Sequence, residues 1–226
     1  GLPAEERWPC SPTGAGRAPR RQPEPAAVPC DMACIDDVIG ALAEQQAGVV
    51  ARRQLLDAGI GATTVRRAIG RARLIRLHRG VYRVPGAPIT RRQQLWASHL
   101  AAGPTSVVSH GSAGRLWGLE AIETCPPTLT MPHDRSVPSP SDVIIHRSRH
   151  LDTVDLVSHG GLVVTTPART IVDLAGEYRR PRLSALMEGA HFNRDVSYTH
   201  VGETLLRVGG PGRTGTRLLG TLLAEH

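Results

Sequence analysis

Between Gly48 and Val84 the run GVVARRQLLDAGIGATTVRRAIGRARLIRLHRGVYRV switches from one periodicity to another, and no other stretch of the chain narrows the fold as far. Val65, Ala68, Ile69 and Ala72 recur at i, i+3, i+4 and i+7, the spacing that gathers apolar side chains on one face of an α-helix. The opposite face carries Thr63, Arg66, Arg67, Gly70 and Arg71, so this helix, read to about Arg73, is apolar inward and cationic outward. A tight Gly59-Ile60-Gly61 turn separates it from a shorter helix, Ala51 to Ala58, with Leu55 and Leu56 inward. Ile35, Val38, Ile39 and Leu42 predict a first helix closed by Gly48. After the third helix the period drops to two. Ile75 and Leu77 alternate with Arg76 in residues 74–84, which predicts two short strands about a turn at His78, Arg79 and Gly80. Three helices followed by a hairpin make a winged helix-turn-helix over residues 32–84.

Charge is concentrated in the same segment. Of the net +7, residues 32–84 carry +5, from nine arginines against Asp36, Asp37, Glu44 and Asp57, whereas residues 85–226 carry +2. A basic module followed by a nearly neutral one is the asymmetry expected when one part touches a polyanion. All 27 basic residues are arginine. The lack of lysine excludes a P-loop, a lysine Schiff base, a serine-lysine dyad and the usual lysine of restriction-type nuclease folds. Arginine alone suits phosphate, because the planar guanidinium bonds two oxygens at once.

A solvated helix face is the commonest reason for surface charge. Here the sign is unmixed, the charge lies opposite a core stripe, a small-residue turn precedes the helix and a basic hairpin follows it. That arrangement is the one a recognition helix needs to enter the major groove of duplex DNA. Arg66, Arg67 and Arg71 are read as reaching phosphates or guanine edges, Thr63 and Thr64 as bonding phosphate or bases near the helix start, and Arg79 as touching the backbone or minor groove from the hairpin tip. Arg73 and Arg76 complete the expected DNA-binding set.

Residues 1–31 hold seven prolines, balanced charge and no apolar period, and are expected to be disordered or a non-native leader, with Met32 as the true start. Residues 85–226 read as a mixed α/β domain with a helical C-terminal tail, making the chain α+β overall. A helix is expected near Arg91 to Ala102 with Leu95 and Trp96 inward. Strands are expected at 106–109, 128–131, 143–146 and 162–164, a helix over 111–119, and a helix from Pro167, capped by Thr166, through Leu174. With seven aromatic residues, the core must be built mainly from Leu, Val, Ile and Ala, and there is no aromatic platform for single-stranded bases. Cys10, Cys30, Cys34 and Cys125 form no C-x-x-C pair and read as free thiols. No apolar window suits a membrane span or a secretory signal, so the expected location is the cytoplasm.

Three apparent motifs read as structure. Gly210, Gly212 and Gly215 match G-x-G-x-x-G, but no strand leads into them and no acidic residue can follow at the right distance, so they read as a linker. Ser109, His110 and Ser112 read as a strand-to-helix turn with Ser109 as the cap. The histidines, His146 and His150 included, lack metal-ligand spacing and read as structural or surface residues. The expectation is therefore no catalytic residue, no metal ligand and no cofactor.

Taken together, residues 48–84, VVSHGSAGRLWGLE (107–120), VIIHRSR (143–149) and VVTTPARTIVDLA (163–175) resemble AbiEi-family antitoxins of type IV toxin-antitoxin systems, especially the actinobacterial branch, over about residues 35–226. The resemblance implies an N-terminal domain that binds the operator of its own operon and represses it. It also implies a C-terminal domain that opposes a nucleotidyltransferase toxin without requiring a stable complex. Many relatives continue into a domain resembling very-short-patch-repair endonucleases, which would begin where this chain stops. The expected function is that of a non-enzymatic DNA-binding regulator and antitoxin. The alternatives are the DNA-targeting portion of such an endonuclease, and a transcription factor with a small-molecule sensor.

Overall fold

The computed structural model describes residues 32–119, 122, 125–135, 140–194, 196–210 and 212–226. The leader 1–31 lies outside the described residues. The first unit runs α1 (Met32–Gln45), β1 (Val49–Ala51), α2 (Arg52–Asp57), α3 (Ala62–Gly70), β2 (Ile75–His78) and β3 (Val81–Arg83). The strands form an antiparallel sheet in the order β1-β3-β2. Ile35, Ile39, Val50, Leu55, Ile60, Val65, Ala68, Leu74 and Tyr82 pack as its core. This is the expected winged helix-turn-helix with one strand more. β1 occupies Val49–Ala51, where the sequence suggested that α2 was about to begin. All three of its residues are buried, Val50 toward the core between the helices and Val49 and Ala51 toward the opposite side. A strand covered on both faces shows no alternation, so its period is invisible in sequence.

α3 ends earlier than the apolar stripe suggests. Ala72 has φ +54°, and the Arg73 amide donates to the Ala68 carbonyl at 3.0 Å, a left-handed closure of the last turn that leaves Ala72 exposed. The expected hairpin forms with a tighter turn: His78 belongs to β2 and pairs with Val81 past an irregularity after Arg76, so only Arg79 and Gly80, the latter at φ +75°, join β2 to β3.

The second unit comprises α4 (Arg91–Ala102), β4 (Val107–Val108), α5 (His110–Leu116), β5 (Thr128–Pro132), β6 (Ile144–Ser148), β7 (Leu156–His159), β8 (Leu162–Thr165), α6 (Pro167–Leu174), α7 (Arg180–Arg194), α8 (Tyr198–Val208) and α9 (Thr216–Leu223). Its mixed sheet has the order β6-β5-β4-β8-β7. β4 is antiparallel to β5 and parallel to β8, β5 is parallel to β6, and β7 is antiparallel to β8. The C-terminal helices have their own core, in which Ile171 and Leu174 meet Leu183, Leu186, Val201 and Leu219. Trp117 touches this cluster and the sheet cluster, and its indole donates to the Thr165 carbonyl at 2.8 Å.

α4 is the seam between the units. Thr90 caps it by accepting from the Gln93 amide at 3.1 Å. Leu95, Trp96 and Leu100 share one buried cluster with Val49, Ala51 and Val81 on one side and with Val108, Leu129, Leu162 and Val164 on the other. Buried Gln93 donates to the Ala47 carbonyl at 3.2 Å, and Arg92 donates to the Gly160 carbonyl at 2.8 Å. At Gly48, with φ +82°, a Cβ would lie 2.3 Å from Ala87 Cβ, so the approach to the seam needs glycine. Among the described residues no helix is long and apolar enough to cross a membrane.

Candidate functional site

Two surfaces bear on function. The first is the outer face of the N-terminal unit. On α3, Val65 and Ala68 are buried, which turns Thr63, Arg66 and Arg67 to solvent, with Thr64 partly covered. Arg71, Arg73, Arg76 and Arg79 are exposed as well, so all six arginines of the expected set stand clear of the core. Arg73 differs from the rest: it lies beyond α3 and donates to Asp36 on α1 at 3.1 Å. Exposed pairs of that kind contribute little and exchange readily for another anion. Arg76 and Arg79 open into a cleft beside the wing that is also lined by Arg52, Arg53 and Arg135. Those three extend the basic surface beyond the set read from sequence. Arg52 and Arg53 were visible there as charge, but only the fold brings them next to the wing.

The second surface is a polar cavity of about 320 Å³ in the C-terminal unit. His110, the first residue of α5, is buried with φ +50°, a conformation rare for a side-chain-bearing residue. Ser109 occupies the N-cap position without capping through its side chain, which corrects the capping role read from sequence. Its Oγ accepts from Thr130 Oγ1 at 2.7 Å and lies 3.0 Å from His110 Nδ1. The His110 ring stacks on His146 of β6, centroids 3.8 Å apart and planes 14° apart. His146 Nε2 is 3.9 Å from Glu177 Oε1, just past α6.

Behind the stack lies a buried ionic network. Arg169 of α6 is 1% exposed. It donates to Asp155 Oδ2 and the His150 carbonyl, each at 2.8 Å, and to Asp173 Oδ1 at 2.9 Å. Arg207 donates to both oxygens of Asp155 at 2.8 and 2.7 Å, and Arg213 donates to Asp173 Oδ1. Burial works to raise the Asp155 pKa, but the hydrogen bonds and charges of Arg207 and Arg169 outweigh it and hold the carboxyl below its usual range. Burial pushes His110 down to about 4 against the opposing charge of Asp173, and lowers His146 in the same way. Glu177 is raised, by burial first and by the charge of Asp173 second. Burial thus favours the uncharged form of both imidazoles in the cavity.

The G-x-G-x-x-G run is more than a connector here. Gly212, Arg213 and Thr214 line the cavity. Gly215, at φ +81°, lies so close to the Ala175 carbonyl that an added Cβ would sit 2.0 Å from its oxygen. His110 and His146, read as structural or surface histidines, are brought together by a strand order that spacing cannot encode.

Residues 37–85 match the family profile described as transcriptional regulator, AbiEi antitoxin. This segment is therefore similar to an AbiEi-family module. Its α3 and wing coincide with the basic face just described, which lies within the matched residues apart from Asp36 and Arg135. The crystal structure of the RV2827C protein from Mycobacterium tuberculosis shares the fold, with a TM-score of 0.51 and 19% identity over 84% of this chain and 75% of that one. That likeness in fold extends well beyond the segment matched by the family profile. A search of curated proteins gives no match.

Proposed function

We propose that the chain is a cytoplasmic DNA-binding autorepressor and the antitoxin of a type IV toxin-antitoxin system, opposing a nucleotidyltransferase toxin without requiring a stable complex with it. The observation that carries the reading is the coincidence of the AbiEi-family match with an α3 whose buried side is apolar and whose exposed side holds Thr63, Arg66 and Arg67. In this reading residues 32–84 are the DNA-binding domain and residues 85–226 the antitoxin domain. Arg66, Arg67 and Arg71 reach phosphates or guanine edges with Thr63 and Thr64 beside them, and Arg73, Arg76 and Arg79 hold the backbone. No catalytic step is assigned to the chain.

The test uses full-length protein and the duplex upstream of its own reading frame, with an unrelated duplex as control. Neutralising about four to six phosphates gives a slope of log K against log salt of roughly −4 to −5. Arg66→Ala or Arg67→Ala should cost about 1–3 kcal/mol and relax specificity at one base pair, whereas Arg79→Ala should weaken both duplexes alike. Unchanged binding in all three variants would place the interface elsewhere. Growth rescue of cells expressing the toxin encoded beside the chain tests the antitoxin half. Rescue retained by a full-length variant unable to bind DNA would show that the second domain acts by its own means.

A further inference from the structure

The regulator reading leaves the C-terminal cavity without a task. His110, His146 and Glu177 come from the β4–α5 corner, from β6 and from the corner after α6, and each offers one ligand atom. Those atoms all lie within 4.8 Å of one another. We propose that these three side chains form a binding site for one divalent transition-metal ion of the zinc class. Two imidazoles with one carboxylate are a donor set that suits zinc, cobalt, nickel or ferrous ions, whereas magnesium and calcium favour all-oxygen ligands. Ligands around such an ion stand about 2.0–2.2 Å from it, hence roughly 3.3 Å from each other, so the three atoms must close by about 1.5 Å. His146 is half-buried on an edge strand and Glu177 is exposed, so both can make that movement by side-chain rotation. The stack must open as they do, because parallel rings 3.8 Å apart cannot both point an in-plane lone pair at one ion.

A second observation is independent of the cluster. Asp173 is 6% exposed and lines the same cavity, and its Oδ2 is a buried atom with no hydrogen-bond partner. A desolvated carboxylate oxygen left unpaired is costly, and a cation in the adjoining cavity offsets that cost. The neighbouring guanidiniums do not forbid one, since Arg169, Arg207 and Arg213 are matched by Asp155, Asp173 and the more exposed Asp152. The support expected around a ligating histidine is also present: the Thr130–Ser109 hydroxyl chain engages Nδ1 of His110, so an ion would take Nε2. An ion held there would tie together three segments that are distant in sequence.

The experiment titrates metal-free full-length protein with Co²⁺ and follows its visible ligand-field bands, then displaces it with Zn²⁺, with Mg²⁺ as control. One Co²⁺ per chain, displaced by Zn²⁺ and untouched by Mg²⁺, is the expected result. His146→Ala and Glu177→Gln should each weaken Co²⁺ binding at least about tenfold, with the fold confirmed by circular dichroism, while replacing exposed His200 of α8, His200→Ala, leaves it unchanged. These two variants carry the test because His110 is buried and its replacement can unfold the chain. Absence of a one-to-one Co²⁺ spectrum in the folded parent, or wild-type affinity in both variants, overturns the proposal.

Discussion

Arg169 is the bulkiest fully buried side chain among the described residues, and it holds two buried aspartates at once. Replacing it with Met keeps much of the volume but leaves Asp173 dependent on Arg213 and Asp155 dependent on Arg207. The expected loss is about 3–5 kcal/mol of unfolding free energy, read from the urea midpoint at constant m. A loss below about 1 kcal/mol would mean that the network costs nearly as much to desolvate as it returns. His110 sets a pH dependence of definite sign. Its folded pKa, about 4, lies below its ordinary 6.5, so the unfolded chain takes up a proton first as pH falls. The stability tied to the neutral ring is complete above pH 6.5 and is lost progressively down to about 4, reaching on the order of 3 kcal/mol. A pH series of urea midpoints should show this slope, and His110→Gln should flatten it. None of this was legible residue by residue. Arg169 and Asp173 stand at i and i+4, indistinguishable in sequence from an exposed helix pair, and nothing in the spacing of His110, His146 and Glu177 anticipates their meeting.

Elements were easier to read than their contacts, and for a physical reason. α3, α4, α6 and the wing each have one covered and one open face, or a capping residue, and those asymmetries leave a period or a punctuation mark in the sequence. β1 and β7 do not: β1 is covered throughout, and the residues of β7 are all at least partly exposed. Thr90, which caps α4, provides a direct check. Thr90→Ala removes the acceptor for the Gln93 amide and should cost about 1 kcal/mol, measurable as a lower urea midpoint. Gly215→Ala probes the cavity wall instead. The new methyl group would collide with the Ala175 carbonyl, and the positive φ adds backbone strain. The expected outcome is a destabilisation larger than that of Gly212→Ala, where the surroundings are open. Equal effects at the two positions would show that the 212–215 segment moves away from α6 at little cost.

For the molecule as a whole, the division expected at residue 84 rests on composition and charge, which record what faces solvent. The packing across it is recorded only by the buried face of α4. Val49, Ala51 and Val81 would be uncovered if that helix were removed, at about 25 cal/mol for each Å² of apolar surface returned to water. The N-terminal sheet and the larger sheet therefore share the buried cluster around α4. Heated in a calorimeter, the protein should absorb its unfolding heat in a single cooperative peak, with equal calorimetric and van't Hoff enthalpies. Two separate peaks would mean that the seam yields first. A single peak would mean that an event in either unit, a captured duplex or a captured ion, raises the melting temperature of the other.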